Sequence, residues 1–167
     1  MSDQKEHMHI LLVFHASGLD CAFPLGAVRE IVPMAKLSSP PGMPSGLAGL
    51  LDFRGTAVPI IRLDRLFSLP EQQPGLHTPM IVLHGLLGLI GVLVDSVRVI
   101  VTVSSAQLLA IPEDRTFRGC ATAVLQLDGN PVHLLSPAAL LTANESHMMA
   151  DYGALSQSRL FDLQESK

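Results

Sequence analysis

Two apolar runs, residues 47–53 and 57–63, flank the dipeptide Arg54-Gly55 within the stretch GLAGLLDFRGTAVPIIRLDRLF. Two strands joined by a tight turn have this form, with Gly55 free to adopt a positive φ that costs other residues steric strain. Arg54 is the strong charge at the turn, beside Asp52. Pro59 brings no backbone N–H, so it belongs on an edge or next to a bulge. An isolated hairpin is marginal in water and relies on further strands or a helix packed against it.

The rest of the chain can supply them. Apolar residues make up 48% of the 167 positions and charged residues 16%. Many short apolar runs, punctuated by 13 glycines and 12 prolines, point to a mainly β structure. The length suits one domain, or two small ones sharing a core. A net charge of −4 leaves no basic surface for neutralising phosphates, which argues against nucleic acid as a partner. Cys21 and Cys120 stand apart with no C-x-x-C spacing, as expected of buried thiols in a reducing compartment. The polar start MSDQKEHMHI does not read as a signal peptide. Residues 80–103 are rich in Ile, Leu and Val, yet His84, Asp95, Arg98 and three glycines interrupt them, so two buried strands fit better than a membrane span. The expectation is a soluble, cytoplasmic protein with no direct membrane insertion.

The two halves echo each other. Val28-Arg29-Glu30-Ile31-Val32 recurs as Val97-Arg98-Val99-Ile100-Val101, and Phe53-Arg54-Gly55 as Phe117-Arg118-Gly119. The stretch from Val58 to Phe67 is echoed from Val132 to Leu141. All three pairs keep the same order, which predicts two similar β subdomains, neither burying enough apolar surface alone.

Strands are expected near residues 9–15, 19–23, 80–84, 89–94, 121–127 and 131–135, besides the opening hairpin. A short helix is expected at residues 25–32, entered at Pro24 and closed by Pro33. Residues 36–45 read as an extended loop, 63–67 as a helical turn, 69–78 as an exposed connector, and 95–99 as a turn or short helix. Asp128-Gly129-Asn130 is a hairpin turn. Ser136 and Pro137 read as the N-cap and first position of a last short helix.

The opening hairpin closely resembles the G-V-x-N-L-R-G-x-V-x-P-V-x-D-L segment of CheW-like chemotaxis coupling proteins, with Gly49, Phe53, Arg54, Gly55, Val58, Pro59, Ile60 and Leu63 in step. Val28, Glu30 and Ile31 match the family's V-x-E-I motif, and residues 80–97 match I-V-L and G-V-L-V-D-x-V. The resemblance covers roughly residues 9–141. It departs from the pattern at Asp52, at Arg62 where the family has Asp, and at the turn Gly85-Leu86-Leu87-Gly88, which is normally polar. The resemblance implies two SH3-like five-stranded β-barrel subdomains with short helices, packed on a joint core within one domain over residues 8–142, with residues 143–167 as an extension. It also implies a non-catalytic adaptor, recruited to membrane-associated receptor arrays, whose partners are the cytoplasmic tip of a chemoreceptor and the regulatory domain of a CheA-type histidine kinase.

By that resemblance Glu30 and Arg54 lie near each other on a receptor-facing surface, and Val28, Gly49 and Gly55 join them as candidate partner-binding residues. Leu86 and Leu87 are added on physical grounds. A hairpin tip normally faces water, so two leucines there form either an apolar contact surface or a flap folded back on the barrel. No catalytic, cofactor or metal site is expected. The seven histidines lack ligand-like clustering, His7 and His9 being a close pair at a terminus expected to fray. No G-x-S-x-G, H-E-x-x-H or Walker loop is present. The competing reading is a small-molecule sensor using the cavity between the barrels, which a ligand-shaped cavity lined by polar groups would favour. The tail residues Tyr152, Leu155, Leu160 and Phe161 are apolar enough to suggest a short helix within 152–164 that docks on a barrel or a neighbouring molecule.

Overall fold

The computed structural model describes residues 7–44, 46–71, 73–111 and 119–140. Among these residues ten strands run in chain order: β1 Met8–Ala16, β2 Leu19–Pro24, β3 Val28–Pro33, β4 Leu47–Phe53, β5 Thr56–Arg62, β6 Pro79–His84, β7 Leu89–Leu93, β8 Ser96–Ser104, β9 Ala121–Leu127 and β10 Asn130–Leu135. A one-turn helix, α1 (Leu63–Leu66), follows β5. The strands form two five-stranded sheets, ordered β8-β1-β2-β10-β9 and β3-β6-β7-β5-β4. The expected mainly β fold with two five-stranded subdomains is what the chain adopts.

The internal echo is realised by exchange. The first half of the chain contributes β1 and β2 to the first sheet and β3, β4 and β5 to the second. The second half contributes β6 and β7 to the second sheet and β8, β9 and β10 to the first. Matching contacts follow: Phe14 pairs with Cys21 as Leu83 pairs with Ile90, and Leu134 lies beside Ala22 as Ile60 lies beside Gly91. Val28–Val32 and Val97–Val101 do occupy equivalent places, both on edge strands. The pairings β1 with β8, β2 with β10, β3 with β6 and β5 with β7 all join one half to the other.

Two local expectations fail. Residues 25–32 do not form a helix: a single 3-10 turn, Leu25–Ala27, gives way at once to β3. Its exposure alternates residue by residue, as expected of β-branched Val28, Ile31 and Val32 on a pleated edge strand. The turn or helix expected at 95–99 is the start of β8. The echo of Phe53-Arg54-Gly55 is also misplaced. The tight turn equivalent to Arg54-Gly55 is Asp128-Gly129, since β4 and β5 correspond to β9 and β10; Phe117 and Arg118 lie outside the described residues. Ser136 precedes a 3-10 turn, Pro137–Ala139, with proline at its first turn but no side-chain cap bond. Pro59 sits beside the register shift between Leu47 and Gly49, and before the first residue of β5 paired with β7.

Each sheet curls on itself. The chain leaving β3 at Pro33 exchanges two hydrogen bonds between Ser38 and Leu50 on the opposite edge strand β4, at 2.9 and 2.8 Å. Five residues reach at most about 18 Å, whereas a flat five-stranded sheet would hold its edges about 19 Å apart. Leu109, beyond β8, makes the equivalent bridge to Val124 on β9, at 2.8 and 2.9 Å. Each curl encloses its own apolar cluster, around Leu11, Val13 and Leu125 in one sheet and Phe53, Val58 and Val82 in the other. A third and larger cluster lies between the sheets, with Phe14 and Phe23 from one side and Ile61, Ile81 and Val92 from the other. The two phenylalanine rings stack at 4.8 Å. No described helix is long and apolar enough to cross a membrane. The expected tail helix lies outside the described residues.

Candidate partner-binding site

The turn between β4 and β5 has Arg54 at φ 51° and Gly55 at φ 86°. Two successive positive φ values make a type I′ turn, whose twist matches that of the flanking strands. Gly55 meets this demand without cost, while Arg54 adopts a conformation disfavoured for a residue with a Cβ. The Asp52 carboxylate accepts the Gly55 N–H at 2.9 Å, closing the turn from within. The Arg54 guanidinium lies 5.1 Å from the centroid of the Phe53 ring, and its Nη2 donates to Glu30 Oε1 at 2.8 Å. Arg54 keeps 64% of its side chain exposed. An ion pair this open stabilises the fold by only about 0–1 kcal/mol. Its physical effect is orientation: a cation is held in a fixed place at the surface, with open sides left for a partner.

Glu30 belongs to the edge strand β3, where the register with β6 skips Arg29. This bulge shifts the pairing of Glu30 with β6 by one residue relative to Val28. The pair therefore joins β3 to the turn beyond β4, the two edges of one curled sheet.

Strand direction decides which other candidates lie nearby. β5 and β7 run parallel, with Ile60 beside Gly91, so the turns preceding them lie at the same end of the sheet. Val28 pairs with Leu83 near the end of β6, which places the start of β3 at that end too. Arg54-Gly55, Leu86-Leu87, Val28 and Glu30 are thus gathered at one end of the second sheet. Gly49 is not among them: it lies mid-strand, opposite Ile60. Its lack of a side chain serves the curl, since a Cβ there would stand 2.6 Å from Leu37 Cβ and 2.9 Å from Ser38 O. Val28 is partly buried and packs against the cluster between the sheets.

Leu86 and Leu87 are 56% and 49% exposed, so they form an apolar tip and are not folded away. The turn is closed by the Gly85 N–H donating to Gly88 O at 2.8 Å. In the other sheet the corresponding turn is Ser17-Gly18, in the ordinary positive-φ geometry (51° and 82°). A polar dipeptide thus joins the equivalent strands β1 and β2, with positive φ at both residues, whereas Leu86 and Leu87 close their turn without it.

Arg62, where the sequence departs from the family pattern, is partly buried and forms a bidentate pair with buried Asp64, at 3.1 and 2.6 Å. The hydrogen bond to Asp64 raises the Arg62 pKa above its ordinary value. Asp64 also accepts the Arg65 N–H at 2.9 Å. Sequence reading flagged Arg62 without finding its partner, although the two-residue spacing was there to be read. A cleft of about 30 Å³ beside this pair is lined by Ser17, Thr78 and Asp95 among others, room for a water molecule or two. It is far below the ~300 Å³ at which small-molecule sites begin, so this cleft is not the ligand cavity that the sensor reading calls for.

Both cysteines are buried and unbridged. Burial, reinforced by Asp20, pushes the Cys21 thiol up to about 12, which suppresses the thiolate needed for nucleophilic chemistry. The Cys120 thiol donates to Ala139 O. His7 and His9 are not frayed: the His7 carbonyl accepts the Ser105 N–H at 2.9 Å, and His9 Nε2 meets Ser105 Oγ at 3.0 Å. No group of three or more His, Cys, Asp or Glu able to hold a metal is found among the described residues.

Comparison with known proteins gives a consistent answer. The model of the CheW-like domain matches residues 11–145. The probable chemotaxis protein CheW of Rhizobium etli is 27% identical over 141 residues, covering 81% of this chain and 89% of the relative. The chemotaxis protein CheW of Rhizobium meliloti is 25% identical over 140 residues, covering 81% and 88%. The crystal structure of the scaffolding protein TtCheW from Thermoanaerobacter tengcongensis superposes with a TM-score of 0.76 at 18% identity, covering 83% of this chain and 96% of that one. With its fold and the matched span in agreement, the chain belongs to the CheW-like domain family.

Proposed function

We propose that this protein is a non-catalytic adaptor that couples the cytoplasmic tip of a chemoreceptor to the regulatory domain of a CheA-type histidine kinase. In this reading it acts in the cytoplasm, recruited to receptor arrays at the membrane, and residues 8–142 are the working unit. The observation that carries the proposal is the end of the second sheet, where an oriented exposed cation at Arg54 lies at the same end as an apolar tip at Leu86-Leu87. Aromatic and Arg anchors surrounded by apolar contacts are the usual makings of a binding hot spot. Receptor tips are helical in this reading, and a helix presents an apolar stripe flanked by carboxylates to such a surface. Val28, Glu30, Gly55 and Arg54 form the receptor-facing set, and Gly49 contributes indirectly by fixing the edge of the sheet.

The test is co-purification from lysate of the source cell with the wild-type chain and with Arg54→Ala as bait. Recovery of a methyl-accepting chemotaxis protein and a histidine kinase by the wild type, with the receptor lost from the variant, is the expected result. Recovery of neither by the wild type would remove the proposal.

A further inference from the structure

The internal repeat supplies its own control at the two edge strands β3 and β8. An edge strand presents unpaired backbone N–H and C=O groups, and proteins protect such edges with charges, prolines or short length. β3 has six residues, with Glu30 held in its ion pair and Pro33 at its end. β8 has nine, and the equivalents of Glu30 and Pro33 are Val99 and Thr102. Both strands share the bulge at their arginine, Arg29 or Arg98. Two protective residues of β3 are therefore missing from β8, and Val99 and Ile100 stand 46% and 55% exposed there.

The sequence of β8 suggests what covers it. Read in either direction from Ile100, Ser-Val-Arg-Val-Ile-Val-Thr-Val-Ser meets a valine, a polar residue, a valine and a serine. We propose that β8 pairs antiparallel with β8 of a second copy of this chain, about a two-fold axis at Ile100. In that register Ile100 faces its own counterpart and Val99 faces Val101; Arg98, at the bulge, ends the paired stretch near Thr102 of the other copy, so no like charges meet. Exposed Ile10 of β1, diagonal to Ile100 on the same face, extends the apolar stripe into both molecules. β3 could not do this, because the same operation about Ile31 would set Glu30 against Val32. The ladder is short, so the dimer is weak and dependent on concentration. This contact lies on the first sheet and is independent of the Glu30–Arg54 end of the second.

Sedimentation equilibrium of the full chain tests it, with cysteine cross-linking to fix the register. The wild type should shift from monomer to dimer with rising concentration, and Val99→Glu, which restores the residue of β3, should remain monomeric with an unchanged melting curve. Paired residues across antiparallel strands have Cα atoms about 4.5–5.5 Å apart, within disulfide range. Mild oxidation should therefore convert Ile100→Cys to a covalent dimer. Thr102→Cys should give none, because the two copies of residue 102 would lie about 14 Å apart. Cys21 and Cys120 are buried and do not compete. A wild type that stays monomeric throughout, or equal cross-linking of the two cysteine variants, would overturn the proposal.

Discussion

Arg54 and Glu30 meet at 2.8 Å across the two edges of one curled sheet, the arginine from the turn after β4 and the glutamate from β3. Neither residue is held by its own strand alone. The position of the cation therefore reports on the closure of the whole sheet, although the pair is too exposed to contribute much to stability.

That separation of roles predicts how Arg54 variants behave. Arg54→Ala should cost at most about 1 kcal/mol. Arg54→Gly should be neutral or mildly stabilising, because it relieves the positive φ of 51°. Both should lose receptor binding, as read by titration of receptor fragment against folded protein. A binding loss that tracks the melting temperature across the two variants would make Arg54 a structural residue.

The turn at Leu86-Leu87 can be replaced by its own sibling. Leu86→Ser with Leu87→Gly installs the dipeptide that joins β1 to β2, so the melting temperature should stay within a few degrees of wild type. Partner binding should fall, because an exposed apolar tip has been removed. Equal binding after the exchange, measured by calorimetry, would assign the leucines no part in the contact.

Arg62 and Asp64 behave as a unit. Arg62→Ala leaves a buried carboxylate without its bidentate partner and should cost about 3–5 kcal/mol, measured by urea unfolding. Arg62→Met combined with Asp64→Leu should cost less than Arg62→Ala alone, since no charge is left buried. A double variant at least as unstable as the single one would mean that other contacts of Asp64, such as that to the Arg65 N–H, dominate.

The exchange of strands predicts that neither half folds alone. Cutting the exposed connector after Pro74 separates β1–β5 from β6–β10, and each fragment then lacks the partners that complete its sheets. Each should be unstructured by near-ultraviolet circular dichroism, and mixing should restore a folded complex. An independently folded fragment would contradict the interleaved topology.

Much of this was legible in the sequence. The hairpin around Arg54-Gly55 announced itself through turn chemistry, and the echo of Val28–Val32 in Val97–Val101 located two equivalent segments, though not that both are strands. What misled was local ambiguity. Val28, Ile31 and Val32 have helical spacing, and they also fit an edge strand once the bulge at Arg29 is allowed. Pairing with β6 settles the matter, and a pairing so distant in sequence leaves no local trace. Strand exchange was hidden for the same reason, since repeats reveal equivalence but not which half supplies the neighbour. The Glu30–Arg54 pair was reached through the family motif; the Phe53 ring beneath the guanidinium and the Asp52 tie came only with the geometry.

Reconstituted kinase activity reads the coupling of receptor to kinase without an intermediate step. Receptor in membranes, a CheA-type kinase and this protein should together give receptor-controlled phosphorylation of the kinase. Omitting the protein, or supplying Arg54→Ala at equal folded concentration, should leave the kinase unresponsive to the receptor. A kinase that responds equally with wild type, with Arg54→Ala and with neither would contradict the account.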